Sequence, residues 1–147
     1  MKKMYFVMIT VLVVSGALLA ACTGGASASV IGDWKLVSYG SPANATPAAP
    51  DVDTSIVFGE DGKVSGNVGC NGFGGDYKVD GNTITFRQIV STLMFCEGLV
   101  GDQETTTLHV FAESATFVLD GDTLTITSAD GSSVIVLARK SAYPSYP

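Results

Sequence analysis

Histidine is almost absent from this sequence, because His109 is the only one among 147 residues. A hydrolase triad needs an imidazole held between a nucleophile and an acid, whereas Leu108 and Val110 flank His109 with apolar side chains. We interpret His109 as a half-exposed helix residue. A Cys-His pair is the alternative, and it requires a cysteine that stays free. We therefore expect no catalytic residues and no enzyme activity.

Metal ligands and phosphate loops are scarce as well. A structural zinc site usually takes four Cys or His ligands, and Cys70, Cys96 and His109 offer three at most. No acidic segment follows the alternating ligand spacing of a calcium loop. The glycine-rich run over residues 66–75 lacks the Lys-Ser or Lys-Thr ending of a phosphate loop. We expect neither a metal nor a cofactor.

Basic residues are few, with 8 Lys and Arg against 14 Asp and Glu and a formal net charge of −6. The phosphates of nucleic acid would be repelled by such a chain, which excludes nucleic acid as an expected partner. Electrostatic docking on anionic lipid is disfavoured for the same reason.

The longest apolar run lies at the N-terminus. Lys2 and Lys3 precede a mostly apolar segment that ends in Leu-Ala-Ala-Cys at Cys22. Small residues before a cleavage point are typical of a secretory signal, and the run is short for a membrane-spanning helix. We predict a lipoprotein signal peptide over 1–21 with lipidation at Cys22. An uncleaved signal anchor, or an ordinary signal cut elsewhere, is the alternative.

Loss of residues 1–21 removes Lys2 and Lys3, so the net charge of −6 becomes −8. Attachment to a membrane would then depend on the acyl chains, and stable anchoring takes two or more of them. Residues 22–30 are the predicted lipidated cysteine and flexible tether. We expect an exported protein, lipid-anchored at the cell membrane or outer envelope.

Two cysteines remain after Cys22. In an oxidising compartment Cys70 and Cys96 are candidates for a disulfide, worth roughly 3–4 kcal/mol for a loop of this length. Two buried free thiols are the alternative.

Asp-Gly pairs between alternating apolar runs predict antiparallel hairpins through type I′ turns. Four such pairs occur, at residues 61–62, 80–81, 120–121 and 130–131. The first strand is predicted over Gly32–Tyr39, and the proline-rich residues 41–50 are predicted as a loop. The pattern indicates a mainly β single domain over 31–140, with about eight antiparallel strands in a meander curled into an open barrel-like sheet. Residues 141–147 are a predicted tail.

One segment lacks the strand pattern. Residues 101–114 predict a short helix packed on the sheet, capped by Asp102, with Leu108, Phe111 and Ala112 on one apolar face. A strand is the alternative for this segment.

A glycine-rich stretch from Gly66 to Tyr77 predicts a structured corner rather than a flexible loop. Asn71 is the candidate to fix this corner through its amide, with polar recognition as the alternative. Met94 and Phe95 lie in an apolar block and are predicted to pack in the core rather than to line a binding lip.

The same stretch carries a resemblance. Four motifs resemble those of the META/HslJ domain family over about 31–140. They are the pattern G-x-x-G-C-N-x-x-x-G-x-Y of this stretch, the block S-T-x-M-x-C over 91–96, the pair Gln103-Glu104, and W-x-L at Trp34. The resemblance implies a small β-rich domain with one helix and no well-established biochemical activity. It marks a set of structural motif residues: Gly66, Gly69, Asn71, Gly75, Tyr77, Thr92, Met94 and Glu104.

The sequence and this resemblance together predict a non-enzymatic, membrane-anchored envelope lipoprotein with a role in envelope maintenance or stress tolerance. Its expected partners are the membrane, through the lipid anchor, and envelope proteins. The alternative is binding of a small apolar ligand or lipid by the curled sheet.

Overall fold

The computed structural model of the chain describes residues 29–140. The predicted signal peptide, the lipidation site Cys22, most of the tether and the tail over 141–147 lie outside the described residues.

The described residues form an antiparallel barrel with one helix. Eight strands follow one another around the barrel, and pairing of the first with the last closes it, for example at Leu36 and Leu137. This confirms the predicted fold class, a mainly β domain with one short helix, and the barrel is closed where an open sheet was predicted. The strands and the helix are β1 Gly32–Ser41, β2 Asn44–Pro47, β3 Ser55–Phe58, β4 Lys63–Asn67, β5 Gly72–Asp80, β6 Thr83–Ser91, α1 Gly98–Val110, β7 Ser114–Asp120, β8 Thr123–Thr127 and β9 Val134–Arg139.

The predicted loop over 41–50 contains a short strand. β2 folds back on the end of β1 and pairs with it over four residues, outside the closed ring of eight. Pro47, its last residue, pairs with Ser38. A proline is tolerated at an edge strand because its missing N–H faces no partner there.

The four Asp-Gly pairs lie at hairpin turns, but the prediction that these turns are of type I′ is wrong. Gly62, Gly81, Gly121 and Gly131 have positive φ, but Gln88 is the only described non-glycine residue with positive φ. The aspartate of each pair therefore lacks the positive φ that a type I′ turn needs at both central positions. At Asp80-Gly81 and Asp120-Gly121 the aspartate is the last residue of its strand, so glycine opens a two-residue loop. Glycine at the first loop position is the requirement of a type II′ turn.

The core fills the interior of the barrel. Trp34, Phe58, Ile84, Leu124 and Ile126 each have no exposed surface. Alternate residues of each strand point inward, as the period of two predicts. Aromatic rings pack at the centre, with ring centroids 4.4–6.5 Å apart among Phe58, Phe73, Phe86 and Phe111. Each buried aromatic removes a large apolar area from water, which stabilises the closed barrel.

The helix begins earlier than predicted, at Gly98 instead of Gly101, and Asp102 does not cap it. Glu97 occupies the N-cap position and makes no capping hydrogen bond through its side chain. The predicted apolar face was also wrong in part. Phe111 is buried but follows the helix, and the buried helical residues are Gln103, Glu104, Thr107 and Val110. No helix among residues 29–140 has the length and apolar character needed to cross a membrane.

The barrel has two distinct ends. The tether end contains Ser29, the first described residue, and the turns at 59–62, 81–82 and 121–122. The helix end contains the connections 68–71, 92–97 and 128–133. Helix α1 covers this second end, because Gln103 bonds both Val68 and Ala49 while Phe111 enters the aromatic core.

Candidate functional site

Asn71 is the centre of the helix end. Its side-chain Oδ1 accepts hydrogen bonds from the Thr92 hydroxyl and the Met94 N–H, each at 2.7 Å. Its Nδ2 donates to the Met94 carbonyl at 2.9 Å and to Glu104 Oε1 at 2.5 Å. The Asn71 N–H donates to Glu104 Oε2 at 2.8 Å. The hydrogen bonds of the amide therefore link the corner to two other segments.

Helix α1 supplies the polar partners of this corner. Gln103 is fully buried, donates to the Val68 carbonyl and accepts from the Ala49 N–H at 2.9 Å. Thr107 donates its hydroxyl to the Gln103 carbonyl at 2.7 Å. Buried polar groups are tolerated when they are hydrogen-bonded, and no buried side-chain nitrogen or oxygen among the described residues lacks a partner. Hydrogen bonding explains why this helix turns polar residues inward.

Cys70 and Cys96 lie beside Asn71. The structure joins their sulfurs as a disulfide, with the Cα atoms 6.3 Å apart, within the separation that disulfides span. The bond connects the loop after β4 with the loop before α1. Glu104 Oε1 lies 3.9 Å from the Cys96 sulfur, so the carboxylate borders the disulfide.

The glycines of the motif allow close approach at three places. A Cβ added to Gly66 would collide with the Ser55 carbonyl on β3, and one added to Gly69 would collide with the Glu104 carboxylate. At Gly75 a Cβ would lie 2.9 Å from the Arg87 carbonyl. The pairing of β5 with β6 is irregular there. These glycines let neighbouring chain segments pack where a side chain has no room.

Tyr77 connects the motif to the tether end. Its hydroxyl donates to the Gly59 carbonyl at 2.7 Å, and its ring packs edge-on against Phe58 at 5.0 Å between centroids. Burial raises the pKa of Tyr77, and the negative charge of Asp61 raises it further. The phenol is thus held in its donating form.

An exposed apolar loop, Leu93–Phe95, corrects the prediction that Met94 and Phe95 pack in the core. Leu93 is 96% exposed, Phe95 is 87% exposed and Met94 is 59% exposed. Val90 and Leu99, on either side of the loop in sequence, are also exposed. The reason is that the loop is fixed by its backbone, which bonds Asn71, and this leaves its side chains directed outward. Clustered exposed apolar side chains are typical of interaction sites.

His109 is placed away from the cysteines. Its Nε2 lies 3.7 Å from Asp130 Oδ2, and both side chains are about half exposed, as predicted for His109. Asp130 also accepts from the Ser128 hydroxyl at 2.6 Å and from the Ser132 N–H at 3.0 Å. These bonds, with the His109 charge as a smaller cause, hold the pKa of Asp130 well below its usual range. His109 is not part of the cluster that Cys70 and Cys96 form with Glu104.

A cleft opens at the tether end. It has a volume of about 430 Å³ and is lined by both apolar and charged residues, including Val30, Tyr77, Val79, Phe117 and Glu60. A volume of this size is within the range of ligand pockets. It lies outside the closed interior, which side chains fill.

Sequence reasoning found the chemistry of the corner better than its surroundings. The Gly-Cys-Asn motif and the Gln-Glu pair marked the residues that the structure brings together. The exposure of Leu93 and the inward direction of Gln103 were missed. The inward direction of Gln103 has a signal in the sequence, a polar pair on a helix short of apolar periodicity, since such a pair needs buried partners. The exposure of Leu93 has no such local signal.

In a comparison with known protein families, the family model of the META domain matches residues 28–141. No curated protein matches.

Similar solved structures share the fold. An NMR structure of a protein from Burkholderia xenovorans is 17% identical, with a TM-score of 0.60, over 75% of this chain and 82% of that one. A second NMR structure is 21% identical, with a TM-score of 0.58, over 74% and 88%. A crystal structure of a DUF4847 family protein from Bacteroides vulgatus is 17% identical, with a TM-score of 0.53, over 74% and 92%. The META family model covers residues 28–141 and therefore the whole described barrel, so this chain belongs to the META domain family.

Proposed function

We propose that this protein is a non-enzymatic, membrane-anchored envelope lipoprotein, and that its META domain contributes to envelope maintenance or stress tolerance by contacting other envelope proteins. The observation that carries this proposal is the exposed apolar loop. Leu93 and Phe95 are almost fully exposed, and the backbone between them is bonded to Asn71. Large apolar side chains presented on a fixed backbone lose little conformational entropy when a partner covers them.

The position of the loop favours a protein over the anchoring bilayer. The loop lies at the helix end of the barrel, whereas Ser29, the first described residue after Cys22, lies at the tether end. Seven residue steps separate Cys22 from Ser29, which span at most about 24 Å when fully extended. An anchor at Cys22 therefore keeps the tether end within about 24 Å of the membrane, and the exposed apolar loop lies at the opposite end of the barrel.

The acidic character of the chain supports the same choice. A loop that inserts into anionic lipid is usually accompanied by Lys or Arg, and Glu97 follows this loop instead. The complementary occupant is an apolar surface on another envelope protein. Such an interface places aromatic and aliphatic side chains at its centre and polar residues at its rim.

Site-specific photo-crosslinking in intact cells tests this proposal. A photoreactive residue replaces Phe95 in the full chain, and the matched control replaces Val118, which is 68% exposed on β7. We expect position 95, and not 118, to crosslink to one envelope protein identified by mass spectrometry, and Leu93→Ser to abolish that product. Crosslinks to lipid, to a second copy of the chain, to nothing, or equally from both positions would contradict the proposal.

The cleft at the tether end favours a second candidate, binding of a small apolar ligand. Val30, Ile31 and Phe117 give it apolar walls, and Lys78 and Glu60 lie at its edge. Native mass spectrometry of the full chain in detergent tests this function. A bound apolar species that Phe117→Asp removes would support it, and a ligand-free protein would count against it.

A further inference from the structure

We propose that reduction of the Cys70–Cys96 disulfide exposes a metal site, in which the two thiolates and Glu104 bind one thiophilic divalent ion, with Zn²⁺ as the first candidate. This inference goes beyond the proposed function and is independent of any partner at the apolar loop.

The donor atoms already lie together. One ligand atom from each of Cys70, Cys96 and Glu104 lies within 4.8 Å of the other two, and Glu104 is buried. No other such cluster of His, Cys, Asp and Glu is found among residues 29–140. The three residues come from the loop after β4, the loop before α1 and α1 itself.

The separation between the Cys96 sulfur and the Glu104 carboxylate suits a tetrahedral ion. A zinc ion with ordinary bonds to sulfur and oxygen places these two atoms about 3.6 Å apart, and two sulfurs about 3.8 Å apart. The Cys96 sulfur is 3.9 Å from Glu104 Oε1 and 3.6 Å from the Met94 carbonyl oxygen. Once the S–S bond is broken, rotation about the Cα–Cβ bonds of Cys70 and Cys96 can move the two sulfurs apart toward the separation that the ion requires.

Asn71 keeps the donors in place without the disulfide. Its hydrogen bonds hold the Met94 backbone and both oxygens of Glu104. Asn71 follows Cys70 in the sequence, so its hydrogen bonds keep the segments bearing Cys96 and Glu104 close to Cys70 after reduction. Such supporting bonds orient a carboxylate ligand and are worth about 10–100-fold in metal affinity.

Charge and ligand chemistry agree with this assignment. Glu104 is 8% exposed, and none of the salt bridges among the described residues provides it with a cation. A buried carboxylate without a paired cation favours the binding of one. Two thiolates with one carboxylate are a donor set for zinc or cadmium rather than for magnesium or calcium.

The redox step is balanced by a dithiol. The dithiol gives two electrons and two protons to the disulfide, so the S–S bond breaks, two thiols form and the dithiol closes to its own disulfide. Binding of the metal then releases the two thiol protons to solvent. The disulfide and the metal are therefore mutually exclusive at this site.

Cadmium titration tests the inference on the full chain in detergent, with Cys22→Ser so that Cys70 and Cys96 are the remaining thiols. The protein is reduced with a dithiol and desalted without oxygen. We expect the reduced protein to give a sulfur-to-cadmium charge-transfer absorption that saturates at one ion per chain. The oxidised protein and Cys70→Ser should give none.

The role of Glu104 is tested against a matched acid. We expect Glu104→Gln to weaken cadmium binding by about tenfold or more, and Glu97→Gln, at the exposed neighbour of Cys96, to leave it unchanged. Because Glu104→Gln can also disturb folding, X-ray absorption of the zinc-loaded parent protein provides a second measurement, with two sulfur and two lighter ligands expected. No absorption change, equal binding by oxidised protein, equal affinity of Glu104→Gln, or an all-sulfur shell would overturn the proposal.

Discussion

The side chain of Asn71 pairs with the backbone of Met94 as a neighbouring strand would, accepting from its N–H at 2.7 Å and donating to its carbonyl at 2.9 Å. One edge of a side-chain amide presents an N–H donor beside a C=O acceptor, as the N–H and C=O of a single strand residue do. This pair of bonds gives the exposed apolar loop a fixed backbone in a segment that has no strand or helix of its own.

Asn71→Ala tests the energetic weight of this contact. The change removes the side-chain partners of the Met94 backbone and of Glu104 Oε1, so we expect a loss of about 2–4 kcal/mol in the free energy of unfolding. Asn82→Ala, at an exposed turn residue, is the matched control and should change stability little. Urea unfolding of both variants measures the difference, and equal stability would refute the role given to Asn71.

The exposed apolar loop should be dispensable for stability. Leu93→Ser removes a side chain that is 96% exposed, and surface changes of this kind alter the free energy of unfolding by at most about 0.5 kcal/mol. Leu124→Ala, inside the barrel, should cost about 2–5 kcal/mol. Thermal unfolding of the two variants distinguishes these sites. A large loss from Leu93→Ser would show that this side chain is packed in solution.

The strands were predictable because their signals are local. Alternating apolar residues and Asp-Gly turns fix the hairpins between neighbours in sequence, as at Leu124 and Ile126. The exposure of Leu93 was not predictable in this way. An apolar residue is usually buried. Here the Met94 backbone is hydrogen-bonded to Asn71, which is distant in sequence, and only these bonds show that the loop is held with its side chains outward.

The start of the helix was missed for a related reason. Glu97 makes no side-chain cap, so no capping signal marks the residue before Gly98. The buried face of α1 is polar because Gln103 and Glu104 form hydrogen bonds with groups more than 30 residues away in sequence. Periodicity records burial of apolar residues and therefore cannot reveal a buried polar face.

The cysteine pair is open to a chemical test. We expect Cys70 and Cys96 of the full chain to resist alkylation until a reductant is added, and Cys22→Ser removes the third thiol from the measurement. The double change Cys70→Ala with Cys96→Ala should cost roughly 3–4 kcal/mol, because the unfolded chain gains the freedom of the closed loop. Ready alkylation of both thiols in the unreduced protein would argue against the bond.

Asp130 predicts a dependence of stability on pH. Its pKa is depressed in the folded protein, chiefly by the hydrogen bonds from Ser128 and Ser132. A carboxylate whose pKa is depressed by folding stabilises the folded protein at pH values above its unfolded pKa. This contribution is lost as the pH falls through the pKa of the folded state. The wild type should therefore be more stable than Asp130→Asn at pH 7.

The difference between wild type and Asp130→Asn should shrink below about pH 4, where the unfolded carboxyl takes up its proton. Urea unfolding at several pH values measures it. Asp120→Asn, in another Asp-Gly turn and without a side-chain hydrogen bond among the described residues, provides the comparison and should show a smaller change. A difference that stays constant down to pH 2 would contradict the assignment.

Hydrogen exchange at the Met94 amide tests most directly the claim that Asn71 holds the exposed apolar loop in place. NMR of the full chain in detergent, with and without Asn71→Ala, gives the exchange rate of this amide beside that of Ile126 in the barrel. We predict that the Met94 amide is protected in the wild type and exchanges much faster in the variant, while Ile126 stays protected in both. A Met94 amide that exchanges in the wild type as fast as an unfolded peptide would contradict the account.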